Sequence, residues 1–308
     1  MSPTPVILDM DPGHDDAIAM LVALGSPALE VVGITTVAGN QTLARTTRNA
    51  CRVLTVAGAR GLEVAAGADR PLVRDQVLAA DIHGESGLDG PILPEPRVAV
   101  AAEPAVLHMA GLLRAARAPV TLIPTGPLTN VALLLRLFPE LAGRIREIVW
   151  MGGSTREGNV TPAAEFNAFA DPEAAHVVFT AGVALRMVGL NLTHQAVATP
   201  DVVERIAALP GPVPRLVVDL LEFFTASYRR VFAMPAPPVH DACAVAAVID
   251  PGLVTSVPAH VAVELGGRHT YGATVVDRGG ARPANCQVAV GLDRSGFWDL
   301  VTAALARL

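Results

Sequence analysis

The chain reads as an α/β fold: one mostly parallel open sheet flanked by helices, Rossmann-like, with a small β-hairpin near the C-terminus. Three observations point to it. Short apolar runs rich in β-branched residues end abruptly in turn or acidic residues. Each is followed by an amphipathic or Ala/Leu-rich segment. The alternation begins at Val6 and recurs along the chain, which is the signature of βαβ units.

In order, Val6–Leu8 is a continuous apolar run, which suits a strand buried on both faces. The Pro12-Gly13 turn and Ala17–Leu24 give a helix, stopped at Gly25-Ser26-Pro27. Leu29–Val37 is a second strand and Thr42–Ala57 a second helix. Strands follow at Val120–Pro124, Ile145–Met151 and Leu185–Leu190, with helices at Thr129–Phe138 and Pro172–Ala181. Pro214–Arg230 is a long amphipathic helix, and His240–Asp250 opens another. Val261–Val276, broken at Gly266-Gly267, reads as the hairpin, Val288–Val290 as a late strand and Phe297–Leu305 as the closing helix. No repeat or low-complexity linker divides the chain, so one domain is expected over 1–308.

Composition narrows the chemistry. All 23 basic residues are Arg, and Lys is absent. That excludes a Schiff-base lysine, a P-loop lysine and a Ser–Lys dyad. With 29 acidic residues the net charge is −6, which argues against a nucleic-acid surface. Cys51, Cys243 and Cys286 are too widely spaced for a disulfide framework or a metal cluster, and read as buried thiols in a reducing compartment. No apolar run is long enough to span a membrane, and the N-terminus lacks a signal peptide's basic region. A cytoplasmic protein is expected.

The polar residues gather where the strands end. Asp9, Asp11, Asp15 and Asp16 fall between the first strand and its helix, the edge at which open α/β sheets bind ligands. A helix N-terminus accounts for one or two of them, not for four. Clustered carboxylates repel unless a cation sits among them, and the first Arg is Arg45. Oxygen-only ligands point to Ca²⁺ or Mg²⁺. Asn40, Thr125, Met151, Asn159, Glu165, Asn167, Asp171, His240 and Asp241 follow at other strand ends. Singly, Asn40, Asp171 and Asp241 suit helix N-caps. Together the set suits a polyhydroxylated ligand.

The run Leu8-Asp9-Met10-Asp11-Pro12-Gly13-His14-Asp15-Asp16-Ala17 resembles the N-terminal signature of the nucleoside hydrolases, in the inosine–uridine-preferring type. The likeness continues in order through Ile34–Asn40, His83–Gly87, Pro124–Asn130, Met151–Gly153, Glu165–Asn167 and Val239–Asp241, covering roughly Val6 to Leu305. It implies a Ca²⁺-dependent hydrolase acting on purine and pyrimidine ribonucleosides, releasing ribose and base in nucleoside catabolism and salvage, and assembling as a homo-oligomer (dimer or tetramer). Carried over residue by residue, Asp11, Asp16, Asp241 and the Thr125 carbonyl resemble the Ca²⁺ ligands, and Asp11 the general base on a Ca²⁺-bound water. Asp15, Asn159, Glu165 and Asn167 match ribose-binding positions, with Asn40 supporting them and Met151 packing below. His240 matches the residue that helps the base depart. His83 falls near the base pocket, and Tyr228 is a candidate base contact. His14 occupies a variable position of the motif.

The chemistry agrees with the resemblance. N-glycoside cleavage passes through an oxocarbenium-like state, which an anionic pocket stabilises. Two departures stand out. Asn191 stands where many relatives carry Asp. Trp150 and Trp298 are the only tryptophans, and Trp150 should face away if Met151 faces the site, which argues against a purine pocket built on stacked Trp. That leaves broad or pyrimidine-preferring types. The competing readings are an aspartate-nucleophile phosphohydrolase, disfavoured by the missing Lys, and a non-catalytic ribose- or nucleoside-binding protein, disfavoured because Asp11 and His240 are both present.

Overall fold

The computed structural model describes residues 2–308. Its strands are β1 (Thr4–Met10), β2 (Leu29–Thr36), β3 (Val64–Ala66), β4 (Val120–Pro124), β5 (Ile145–Met151), β6 (Leu185–Val188), β7 (Val254–Val263), β8 (Thr274–Asp277) and β9 (Cys286–Leu292). The helices are α1 (His14–Gly25), α2 (Leu43–Val56), α3 (Ala80–His83), α4 (Ala105–Ala115), α5 (Thr129–Leu137), α6 (Phe166–Ala170), α7 (Pro172–Phe179), α8 (Leu190–Thr193), α9 (Pro200–Ala207), α10 (Pro212–Phe232), α11 (His240–Ile249) and α12 (Arg294–Leu305). The strands form one sheet in the order β3-β2-β1-β4-β5-β6-β9-β7-β8. The pairs from β3 through β9 are parallel, and β7 runs antiparallel to both β9 and β8.

Alternation along β1 builds a core on each face. Val6, Leu8 and Met10 pack with α1, α11 and α12, while Ile7 packs with α4, α5 and α7. The same alternation sends Met151 to the first face and Trp150 to the second, so the two diverge as expected. Trp150 is fully buried, edge-on to Phe179, and its Nε1 donates to Gly126 O at 3.1 Å.

The strand order reverses between β1 and β4, giving a switch point at the carboxyl ends of these neighbours. Asp9 pairs with Pro124, and Thr125 N–H donates to Asp9 O at 2.9 Å. The chain exits β1 at Asp11 and β4 at Thr125 side by side.

Several boundaries differ from the sequence reading. The α1 helix starts at His14, not Ala17, so Asp15 and Asp16 lie in its first turn. β6 stops at Val188, and Leu190 opens α8. β7 begins at Val254 because its first half pairs with β9 before its second half forms the hairpin with β8. The edge strand β3 and helices α4 and α9 were not expected. Of the three proposed caps, only Asp171 is one: it accepts from Ala174 N–H at 3.0 Å at the start of α7, and also from Leu72 N–H and Thr129 Oγ1. Asn40 precedes the cap position of α2, and Asp241 lies inside α11.

The helix that carries Asp15 and Asp16 is seated by a glycine. A Cβ on Gly25, at the end of α1, would lie 2.2 Å from Ala304 O of α12. Gly25→Ala should therefore push the two helices apart and lower stability by about 1–3 kcal/mol, read as a reduced urea midpoint at unchanged slope.

Candidate active site

A cavity of about 240 Å³ opens above the β1/β4 switch point. Asp15, Asn40, Thr125, Met151, Asn159, Glu165, Asn167 and Asp241 line its floor and wall, and His83, Phe224, Tyr228, Phe232 and His240 line the other end. Every substrate-binding residue expected from the sequence is in this lining. Asp11 and Asp16 are fully buried and lie behind it, bonded to Asn40 and Thr125.

Asp16 is held on three sides. Its Oδ1 accepts from Thr125 Oγ1 at 2.7 Å, and its Oδ2 from Gly13 N–H at 3.0 Å and Asn40 Nδ2 at 3.1 Å. Asp11 Oδ2 accepts from Asn40 N–H at 2.7 Å, while Asp11 Oδ1 is buried with no hydrogen-bond partner. Side chains at Gly39 and Gly126 would collide with the Asp11 carboxylate, with Cβ positions 2.1 and 2.6 Å from its oxygens. Carboxylate oxygens of Asp15, Asp16 and Asp241 lie within 4.8 Å of one another. The Thr125 carbonyl accepts from Asn167 Nδ2 at 2.7 Å and keeps its second lone pair.

Electrostatics show what the cluster lacks. Burial, reinforced by Asp16 and Asp15, holds Asp11 well above the usual carboxylate range. Burial and Asp16 push Asp15 up to about 8. Burial and the charges of Asp15, Asp16 and Asp11 raise Asp241. Among the described residues no ion pair reaches any of the four. An orphaned oxygen, three converging carboxylates and a nearby carbonyl, all oxygen donors, fit a hard divalent cation.

Asp9 does not join them. Strand alternation turns it to the face of Ile7, where its Oδ1 accepts from Thr35 Oγ1 at 2.6 Å and Asn130 Nδ2 at 2.8 Å. Burial lifts it to about 6. Asp9 ties β1 to β2 and α5, and the sequence grouping of four aspartates between residues 9 and 16 is corrected to three, with Asp241 as the fourth.

The remaining residues are positioned by backbone. Glu165 caps α6, its oxygens accepting from the N–H groups of Asn167, Ala168 and Gly153, and burial raises it to about 7. Asn159 Oδ1 accepts from Phe166 N–H at 2.9 Å. Asn167 Nδ2 bridges the Thr125 and Met151 carbonyls, joining β4 to β5.

At the far end, His240 Nδ1 lies 2.7 Å from Thr193 Oγ1 and its Nε2 2.8 Å from Tyr228 Oη. Burial and the nearby His194 lower His240 to about 3, so the ring is neutral. Thr193, Phe224 and Phe232 were not singled out from the sequence. A threonine in a short helix and phenylalanines on the apolar stripe of α10 carry no signal beyond packing. Arg229 turns away to Pro235 O. Asn191 donates from Nδ2 to Ala289 O at 2.8 Å, a bond that an Asp could not make.

A mostly parallel α/β sheet with a carboxylate-lined cavity at its switch point is the architecture of a ligand site at a sheet's carboxyl edge. The chain belongs to the inosine-uridine preferring nucleoside hydrolase family, whose profile it matches over residues 6–299, and it is a ribonucleoside hydrolase. It is 49% identical to the pyrimidine-specific ribonucleoside hydrolase RihA of Shewanella woodyi, over 98% of this chain and 97% of that one. Against the protein of the same name from Citrobacter koseri the identity is 48%, over 98% of both chains. The purine-preferring ribonucleoside hydrolase of Gardnerella vaginalis superposes with a TM-score of 0.92 at 32% identity, over 98% of each chain.

Asn130 tests the scaffold beneath the site. It is fully buried, donates to Asp9 Oδ1 and Thr36 O, and accepts from Ala68 N–H. Asn130→Ala should cost about 2 kcal/mol or more by stranding these groups, measured by chemical denaturation.

Proposed function

We propose that this protein cleaves the N-glycosidic bond of pyrimidine ribonucleosides with the help of Ca²⁺ held by Asp11, Asp16, Asp241 and the Thr125 carbonyl. The unpartnered Asp11 Oδ1 carries the reading. It is an acceptor buried at a cost, in a cluster that has no side-chain cation to offset it. A hard divalent cation, when bound, offsets the carboxylates and makes a water more acidic at neutral pH.

The protein's own groups supply the rest. Asp11 accepts the proton of the attacking water as its oxygen bonds to the anomeric carbon. The carbon–nitrogen bond breaks and its electron pair leaves with the base. Asp15, Asn40, Asn159, Glu165 and Asn167 hold the ribose hydroxyls, with Met151 beneath the ring. With the cation bound, the negative charge of Asp15 and Glu165 favours the cationic ribose of the transition state. His240 and Tyr228, already joined by a hydrogen bond, together with His83, assist the departing base. The lining holds no Arg, so a phosphoryl group would meet mainly carboxylates, which disfavours the phosphohydrolase reading.

The base preference rests on the curated relatives near 48% identity, named pyrimidine-specific, and on Trp150 being turned out of the cavity. The three cysteines are buried and free, which supports a reducing, cytoplasmic setting.

Uridine or cytidine should be hydrolysed with kcat/KM at least ~10-fold above inosine, measured by release of reducing sugar. Inosine as the best substrate would reverse the preference. Stripping divalent ions with a chelator should abolish turnover, and Ca²⁺ should restore it. Asp11→Ala should lower kcat on the order of 10³-fold, and near-normal kcat would remove Asp11 from its role.

A further inference from the structure

His14 is the one ionisable residue of the Asp9–Asp16 motif left without a task. It is fully buried, and its backbone and ring contact His83, which lines the cavity, and Asp89, which does not. Its backbone N–H, one of the unpaired donors of the first turn of α1, donates to His83 Nδ1 at 3.2 Å. Its Nε2 lies 2.9 Å from Asp89 O, and its Nδ1 3.1 Å from His83 Nδ1. The His14 ring is sandwiched in a stack, near-parallel to Phe223 and Phe224 at 5.0 and 5.3 Å, with His83 at 5.4 Å. Gly13 permits this approach: a Cβ there would sit 2.6 Å from His83 Nδ1.

These contacts determine a tautomer. A backbone N–H only donates, so His83 Nδ1 must be the bare, accepting nitrogen. The backbone N–H carries this assignment, because with His83 Nδ1 bare a neutral His14 donates to only one of its two ring contacts, His83 Nδ1 or Asp89 O. Burial keeps His83 neutral, leaving its single ring proton on Nε2. Nε2 has no partner among the described residues, and His83 lines the cavity. The ring's Nδ1 edge faces α1, which leaves its Nε2 edge turned away from α1.

We propose that His14 is a positioning residue, which with its backbone holds His83 as an Nε2–H donor, so that the base pocket selects a base presenting a hydrogen-bond acceptor, a carbonyl oxygen or bare ring nitrogen, at that point. The α1 N–H sets the tautomer. The His14 ring sets the pose by stacking on His83. The proposal rests on the reading of His83 as a base contact given under Proposed function, but the tautomer does not.

Solid-state ¹⁵N spectra of the whole protein labelled at the histidine rings test the tautomer directly, with His83→Gln used to assign the signal. A bare Nδ1 and a protonated Nε2 on His83 near neutral pH are expected. A protonated Nδ1 overturns the proposal whatever the enzyme's activity. The selection is tested by two substitutions. A Gln amide nitrogen falls near the place of Nε2, and an Asn amide nitrogen near the place of Nδ1. His83→Asn should lose at least ~10-fold more kcat/KM for uridine than His83→Gln, the order expected when a hydrogen-bonding site loses its partner. Equal losses reject selection by a donor at Nε2. His14→Leu removes the ring stack but keeps the backbone N–H, and should raise KM for uridine more than it lowers kcat. Unchanged kinetics there reject His14 as a positioning residue. A wild-type protein inactive on every ribonucleoside, with the His83 tautomer as expected, would overturn the function and leave the tautomer standing.

Discussion

Four carboxylates, Asp11, Asp15, Asp16 and Asp241, are buried together, and among the described residues no side-chain cation pairs with them. Removing a single ion from water costs on the order of several kcal/mol, and mutual repulsion adds to it. Much of the fold's local design follows from holding that cluster in place. The sheet brings the ends of β1 and β4 together, α1 carries Asp15 and Asp16 in its first turn, and α11 delivers Asp241 from the far end of the chain. Gly39 and Gly126 clear the space around Asp11, and Asn40 and Thr125, which line the cavity, bond the two acids behind it.

The same constraint divides the cavity. One end is acidic and suits a ribose that becomes positively charged. The other is aromatic and neutral, with Phe224 and Phe232 around the paired rings of His240 and Tyr228. Burial pushes the carboxylates upward and the histidines downward. Histidines kept neutral act as directional hydrogen-bonding groups, so their tautomers matter as much as their positions.

What could be read from the sequence depended on burial. β4 and β5 were legible to the residue because β4 is buried throughout and β5 ends in the buried apolar run Ile148–Met151, each closed by a glycine-containing turn. β3 was invisible because three residues at a sheet edge carry no periodicity, and α4 and α9 went unread between loops. Asp11, Asp15 and Asp16 stood out as clustered carboxylates without a cation, whereas Asp241, Glu165, Asn159 and Asn167 were only polar groups at strand ends until the resemblance joined them to the cluster. Asp9 was the exception: its neighbours in sequence suggested a shared site, and strand alternation turned it to the opposite face. The aromatic half was less legible. His83, His240 and Tyr228 came through resemblance, whereas Phe224, Phe232 and Thr193 are ordinary packing residues until α10 and α8 bring them around His240.

The central claim is that the buried carboxylates are balanced by a bound divalent cation, and thermal unfolding of the metal-stripped protein tests it most directly. A ligand that binds only the native state stabilises it by an amount that grows with the logarithm of its concentration. Tm should rise steadily with added Ca²⁺ in the wild-type protein, and the rise should vanish when Asp16 and Asp241 are both replaced by Asn. A Tm that does not respond to Ca²⁺ or any other divalent cation would contradict the account, because the carboxylates would then be balanced by protons alone.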